Sequence, residues 1–171
     1  MGVAGGGRGR AGVALASAGV TDPVAPNADR FAPLADADVV ARWSKFPQGW
    51  DRDYFPKWMG LQLEELRTDY CRLRLPFRPV LEQPAGVVHG GAIATLIDTV
   101  VVPAVGQAYG PETRFATIQL DVRYLGAVVQ EDLVAEGWVE RRGRTLVFCR
   151  AEARRPDGRL VADGTLTYAI S

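Results

Sequence analysis

The chain has 171 residues, 47% of them apolar, with twenty basic and twenty acidic side chains in balance. That length suits one domain with a real core, and the even charge offers neither a nucleic-acid groove nor a general affinity for anionic membranes. One histidine, and two cysteines outside any ligand spacing, leave no metal cluster to assemble.

Residues 1–30 are mostly Ala, Gly and Val and read as a disordered tail. Arg8 and Arg10 ahead of a weakly apolar, glycine-broken run only faintly imitate a secretory signal. Gly7 to Gly12 satisfies G-x-G-x-x-G, but no strand precedes it and no acid closes a βαβ unit, so a dinucleotide site is discarded. Residues 31–58 form an N-terminal extension. Asp36 caps a short helical pattern, and a proline-punctuated segment then gathers Trp43, Phe46, Trp50, Tyr54, Phe55 and Trp58. This segment is expected to close one end of the core, with a lid over a pocket as the alternative, since aromatic burial serves both.

Residues 59–171 carry the main domain. Leu61 to Leu66 and Tyr70 to Leu75 alternate apolar with polar, as half-buried strands do. Four more such runs follow Gly110-Pro111: Arg114 to Leu125, Asp132 to Arg141, Thr145 to Arg154 and Leu160 to Ile170. Short Gly-containing connections between them predict antiparallel hairpins. Cys71 and Cys149 sit within these alternating runs and read as buried thiols, which fits a reducing cytoplasm.

Between the second and third runs lies the stretch Gly86 to Ala108. It opens on the only histidine, His89, followed by Gly90 and Gly91, and continues as an apolar run interrupted by Asp98. The run is apolar on all sides, so it predicts a helix enclosed by other elements. It is too short and interrupted to span a bilayer. Pro103 predicts a bend, because it removes the bond to the Thr99 carbonyl. The order is ββαββββ, an α+β chain in which an antiparallel six-stranded sheet wraps one long helix.

Asp98 is the first functional suspect, because a carboxylate among aliphatic residues is costly to leave ionised and unpartnered. It follows His89 by nine positions, which at about 100° per residue puts the two on opposite helix faces. Gly90 and Asp98 are separated by about 12 Å of helix rise. If both act on one reacting centre, the partner of each comes from a second copy across a two-fold axis.

Gln83, His89, Gly90, Gly91 and Asp98, placed between the second strand and the rest of the sheet, resemble the hotdog-fold acyl-CoA thioesterases of the phenylacetate-pathway (PaaI-like) type. Phe115 to Leu125 is similar to that family's third strand. The resemblance covers roughly residues 59 to 170. It implies a homodimer or a dimer of dimers joined through the third strand, with active sites at the dimer interface.

By that resemblance the Gly90 N–H points at the thioester oxygen, as a helix N-terminus and a glycine allow. Asp98 of the other subunit is the nucleophile or the general base. His89 orients by hydrogen bonding, and the Gln83 amide binds a water or a carbonyl. Thr117 supplies a hydroxyl that helps hold the attacking water.

Gly91, Arg142 and Arg144 are the substrate-binding candidates, the arginines for the phosphates of coenzyme A. A solvated hairpin tip is the alternative for the arginines. No cofactor is expected, coenzyme A being part of the substrate. Two further functions stay open: an acyl-thioester hydratase or dehydratase, in which His89 must transfer protons, and a non-catalytic acyl-CoA binder.

Overall fold

The computed structural model describes residues 22–171. The G-x-G-x-x-G run and the signal-like stretch lie outside the described residues. The elements, in chain order, are α1 (Ala37–Trp43), α2 (Phe55–Trp58), β1 (Gln62–Arg67), β2 (Tyr70–Leu75), α3 (Gly90–Gly106), β3 (Phe115–Tyr124), β4 (Leu133–Arg142), β5 (Leu146–Arg154) and β6 (Leu160–Ile170). The six strands form one antiparallel sheet in the order β1-β2-β4-β5-β6-β3. This is the predicted ββαββββ arrangement.

The sheet alternates because one face meets α3. Leu73, Ala135, Cys149, Ala151 and Leu166 point inward and join Leu96, Ile97, Val100, Val101 and Ala104 of the helix in one core. Two glycines set how closely the helix lies. A Cβ on Gly137 of β4 would sit 2.7 Å from Val100, and one on Gly164 of β6 would sit 2.8 Å from Ile97. Any side chain at either place requires the helix or its neighbours to shift. Both cysteines are buried. Burial pushes the Cys149 thiol up to about 12 and the Cys71 thiol well above its usual range.

α3 is helical from Gly90 through Pro103 to Gly106, so the proline does not end it. Its C-terminal carbonyls are met by arginines from elsewhere. Arg142 of β4 donates to the carbonyls of Ala104 (2.7 Å) and Val105 (3.1 Å), and Arg42 of α1 donates to that of Gly106 (3.0 Å). Cations at this end also suit the helix dipole.

The aromatic extension divides in two. Phe46 is buried, while Trp43 and Trp50 pack against the core, with Trp43 lying over Gly106. Tyr54, Phe55 and Trp58 remain exposed. Between the first group and Phe115 is a cavity of about 340 Å³.

Of the tail expected over residues 1–30, residues 22–30 lie on the outer face of the sheet. Ala28 and Phe31 pack with Tyr70 and Trp138 in a second small cluster. The Asn27 N–H (3.0 Å), the Asn27 amide (2.9 Å) and the Tyr70 hydroxyl (3.0 Å) all donate to the carboxylate of Glu136, which is fully buried. Burial raises the Glu136 pKa above its ordinary 4.5, against the lowering effect of those donors and of Arg154.

The native state therefore holds this proton more tightly than the unfolded chain, and the contribution present below pH 4.5 is lost as pH rises through the folded value. Urea unfolding from pH 4 to pH 7 is expected to show wild type losing stability relative to Glu136→Gln. A difference that is flat with pH would contradict this.

β3 is an edge strand. It pairs with β6 on one side and, among the described residues, with nothing on the other. Ile118 interrupts the register between Thr117 and Gln119, and Ile118, Leu120 and Tyr124 are exposed at 58%, 37% and 53%. A long open edge carrying such side chains invites another strand.

Candidate active site

The start of α3 is fixed by its approach. The Val88 N–H donates to the Val128 carbonyl at 2.8 Å, and the His89 N–H donates to the Leu81 carbonyl at 2.7 Å. His89 is the N-cap, and its Nδ1 accepts from the Gly91 N–H at 2.8 Å. With Nδ1 an acceptor, the neutral ring carries its hydrogen on Nε2. Ala92 and Ile93 both donate to the His89 carbonyl, at 2.9 and 3.3 Å.

Three of the first four N–H groups of the helix are thus taken. The fourth, that of Gly90, donates to nothing among the described residues. Gly91, expected to serve substrate, has its N–H engaged by His89. The ring of Tyr124 lies over Gly90, 3.4 Å from where a Cβ would be, and its hydroxyl donates to the Gly90 carbonyl at 3.0 Å.

Two turns on, Asp98 is half-buried. Its Oδ1 accepts from the Thr117 hydroxyl of β3 at 2.8 Å and faces the Tyr168 hydroxyl of β6 at 3.3 Å. The same hydroxyl donates to the Asp98 main-chain carbonyl at 2.9 Å. Asp98 Oδ2 has no hydrogen-bond partner among the described residues. Burial first, then the Asp98 charge, hold the Tyr168 phenol far above its ordinary range, so it remains a donor.

The helix is unbroken between Gly90 and Asp98, so the open donor and the open carboxylate oxygen of one chain stay about 12 Å apart along the axis. Gln83 shapes the turn before the helix. Its N–H donates to the Val87 carbonyl and its carbonyl accepts from Gly86, both at 2.9 Å, while its side chain is half-buried.

Arg142, a substrate-binding candidate, is engaged within the chain. Its guanidinium donates to Asp69 Oδ1 (3.0 Å from Nε) and to the two helix carbonyls named above, which together engage four of its five N–H groups. It sits at the far end of α3, about 21 Å of helix rise from Gly90. Arg144 is exposed beyond it, past the end of β4. Sequence reading missed Tyr124 and Tyr168. The signal for the second was its place on the inward-facing alternation of β6, where a hydroxyl at a core position needs a partner.

The Thioesterase superfamily family model matches residues 85–162, the stretch from the turn before α3 into β6. An inferred esterase of Halobacterium salinarum is 38% identical to the chain over 93 residues, which is 52% of this chain and 61% of that protein. The matches span between half and two thirds of the lengths of the first curated relatives.

A conserved protein of Pseudomonas aeruginosa has a solved structure with a TM-score of 0.65 and 29% identity, covering 68% of this chain and 93% of that one. The PaaI protein of the Escherichia coli phenylacetic acid degradation operon shares the fold at 15% identity, with a TM-score of 0.62 over 67% of this chain and 81% of that one. A Streptococcus pneumoniae hypothetical thioesterase, solved with coenzyme A, shares it at 22%, with a TM-score of 0.60 over 65% and 85%. The architecture is therefore the hotdog fold that these structures share, as the resemblance implied.

Proposed function

We propose that the chain hydrolyses an acyl-CoA thioester to the free acid and CoA, at a site completed by two copies of the chain. The observation that carries this is the pair of open groups on α3: the Gly90 N–H at the helix N-terminus and Asp98 Oδ2 in mid-helix. The coenzyme A held by the S. pneumoniae relative supports the choice of thioester. The open apolar edge of β3 supports the two-copy site: two such edges pairing across a two-fold axis bring one chain's Asp98 toward the other's Gly90.

In this reading the thioester oxygen of the substrate lies against the Gly90 N–H of one subunit. Asp98 Oδ2 of the other either takes a proton from water as the water oxygen bonds to the carbonyl carbon, or bonds to that carbon itself. Negative charge gathers on the thioester oxygen, where the helix N-terminus and the amide hold it. Collapse breaks the carbon–sulfur bond, and CoA leaves as thiolate and is protonated. In the direct route a water then cleaves the acyl-aspartate, which releases the acid and restores the Asp98 carboxylate.

His89 keeps the helix start in register through the bond its Nδ1 accepts from Gly91. Because its Nδ1 is engaged by Gly91, it is poorly placed to act as a base, which disfavours the hydratase reading. The test is thiol release from a panel of acyl-CoAs by the purified protein. Release with stoichiometric free acid is expected. Hydration of an enoyl-CoA without thiol, or tight binding without turnover, would replace the proposal.

A further inference from the structure

We infer that Tyr168 is a positioning residue that holds Asp98 from two sides, so that one carboxylate oxygen is fixed and the other is left for the reaction. This rests on the hydrolase reading for its kinetic consequence but not for its geometry.

The phenol hydroxyl lies 2.9 Å from the Asp98 main-chain carbonyl and 3.3 Å from Oδ1. One group on β6 thereby restrains both the backbone and the side chain of a residue 70 positions away. The Thr117 hydroxyl reaches the same Oδ1 from β3 at 2.8 Å. Thr117 donates to Oδ1, the single Tyr168 hydrogen is shared between that oxygen and the nearer main-chain carbonyl, and no donor reaches Oδ2, so turning the carboxylate to exchange its oxygens gives up these contacts.

The tie lies next to an interruption in the helix's own bonding. Pro103 has no N–H for the Thr99 carbonyl, and its ring crowds that carbonyl, so the turn that starts one residue after Asp98 lacks one of its own bonds. Tyr168 supplies an outside donor beside it. The residue is only 2% exposed, and its ring packs with Phe115 at a centroid distance of 6.1 Å. It therefore acts on Asp98 and does not touch substrate.

Tyr168→Phe keeps the ring and removes the hydroxyl. The expected kinetic result is a fall in kcat of about tenfold with KM little changed, the loss of one hydrogen bond to a charged group. The melting temperature should stay near that of wild type, and Tyr168→Leu, which also loses the ring, should lower both. A second readout needs no turnover: the Asp98 carbonyl carbon should shift upfield in the NMR spectrum of Tyr168→Phe, with the signals of β1 and β2 unmoved.

Unchanged kcat together with an unmoved Asp98 carbonyl resonance would overturn the inference. So would equal losses in kcat and melting temperature for the two variants, which would mark a purely structural residue. If wild type releases no thiol from any acyl-CoA, the hydrolase reading fails while the carbonyl shift still decides the role of Tyr168.

Discussion

Gly90→Pro is expected to lower kcat for thioester hydrolysis by about 10²–10³ while leaving the fold intact. The substitution is unusually clean. Gly90 is the first residue of α3, and its N–H makes no bond within the protein. Proline is well tolerated at that position, because the missing N–H is one the helix never uses. The residue before it, His89, has φ −62° and ψ 134°, which is the extended conformation that a following proline requires. The nearest obstacle to a new Cβ is the exposed Tyr124 ring at 3.4 Å.

The variant therefore deletes one hydrogen-bond donor and little else. Loss of kcat with a near-normal melting temperature and near-normal binding of a product CoA supports the oxyanion role. Gly90→Ala restores the N–H against the same Tyr124 contact and should recover most of the rate. Full activity in Gly90→Pro would remove that amide from the mechanism.

Asp98→Asn is the second large effect, a loss of about 10³ or more in kcat. Asparagine keeps the shape of the side chain and an oxygen that can accept from Thr117 and Tyr168, so the packing around 98 should persist. It removes the negative oxygen that either attacks or takes a proton. Substrate affinity should survive, which makes the variant suitable for trapping a complex. Single turnover of wild type in ¹⁸O-water separates the two routes: label entering Asp98 indicates a covalent acyl-enzyme, and label only in the product acid indicates water attack.

Much of this was legible in the chain. The apolar faces of Gly90 to Gly106, continuous around the helix, announced an element surrounded on all sides, and the period-two runs with glycine turns announced the hairpins. The interruption of the helix by one acid singled out Asp98. Helical geometry alone separated it from Gly90 and suggested a second copy.

What stayed hidden depends on elements far apart in sequence. Arg142 reads as a solvent-facing cation in a turn. Only folding brings Asp69, from the β1–β2 hairpin, and the end of α3 to its guanidinium. Tyr168 reads as a strand residue, because its partner lies on the helix that the sheet wraps. The Ala/Gly-rich composition before residue 31 gave no sign that Asn27 would meet a buried Glu136, since the docking relies on hydrogen bonds and two small contacts more than on apolar area.

The site shared between subunits is tested most directly by complementation. Gly90→Pro and Asp98→Asn chains, co-expressed with different tags and purified through both, give dimers in which one of the two sites combines an intact Gly90 with an intact Asp98. Such hybrids are expected to recover about half of the wild-type rate, although each parent is nearly inactive alone. Hybrids as inactive as their parents would mean that both groups must come from the same chain or that they do not act together, and the proposed mechanism would be wrong.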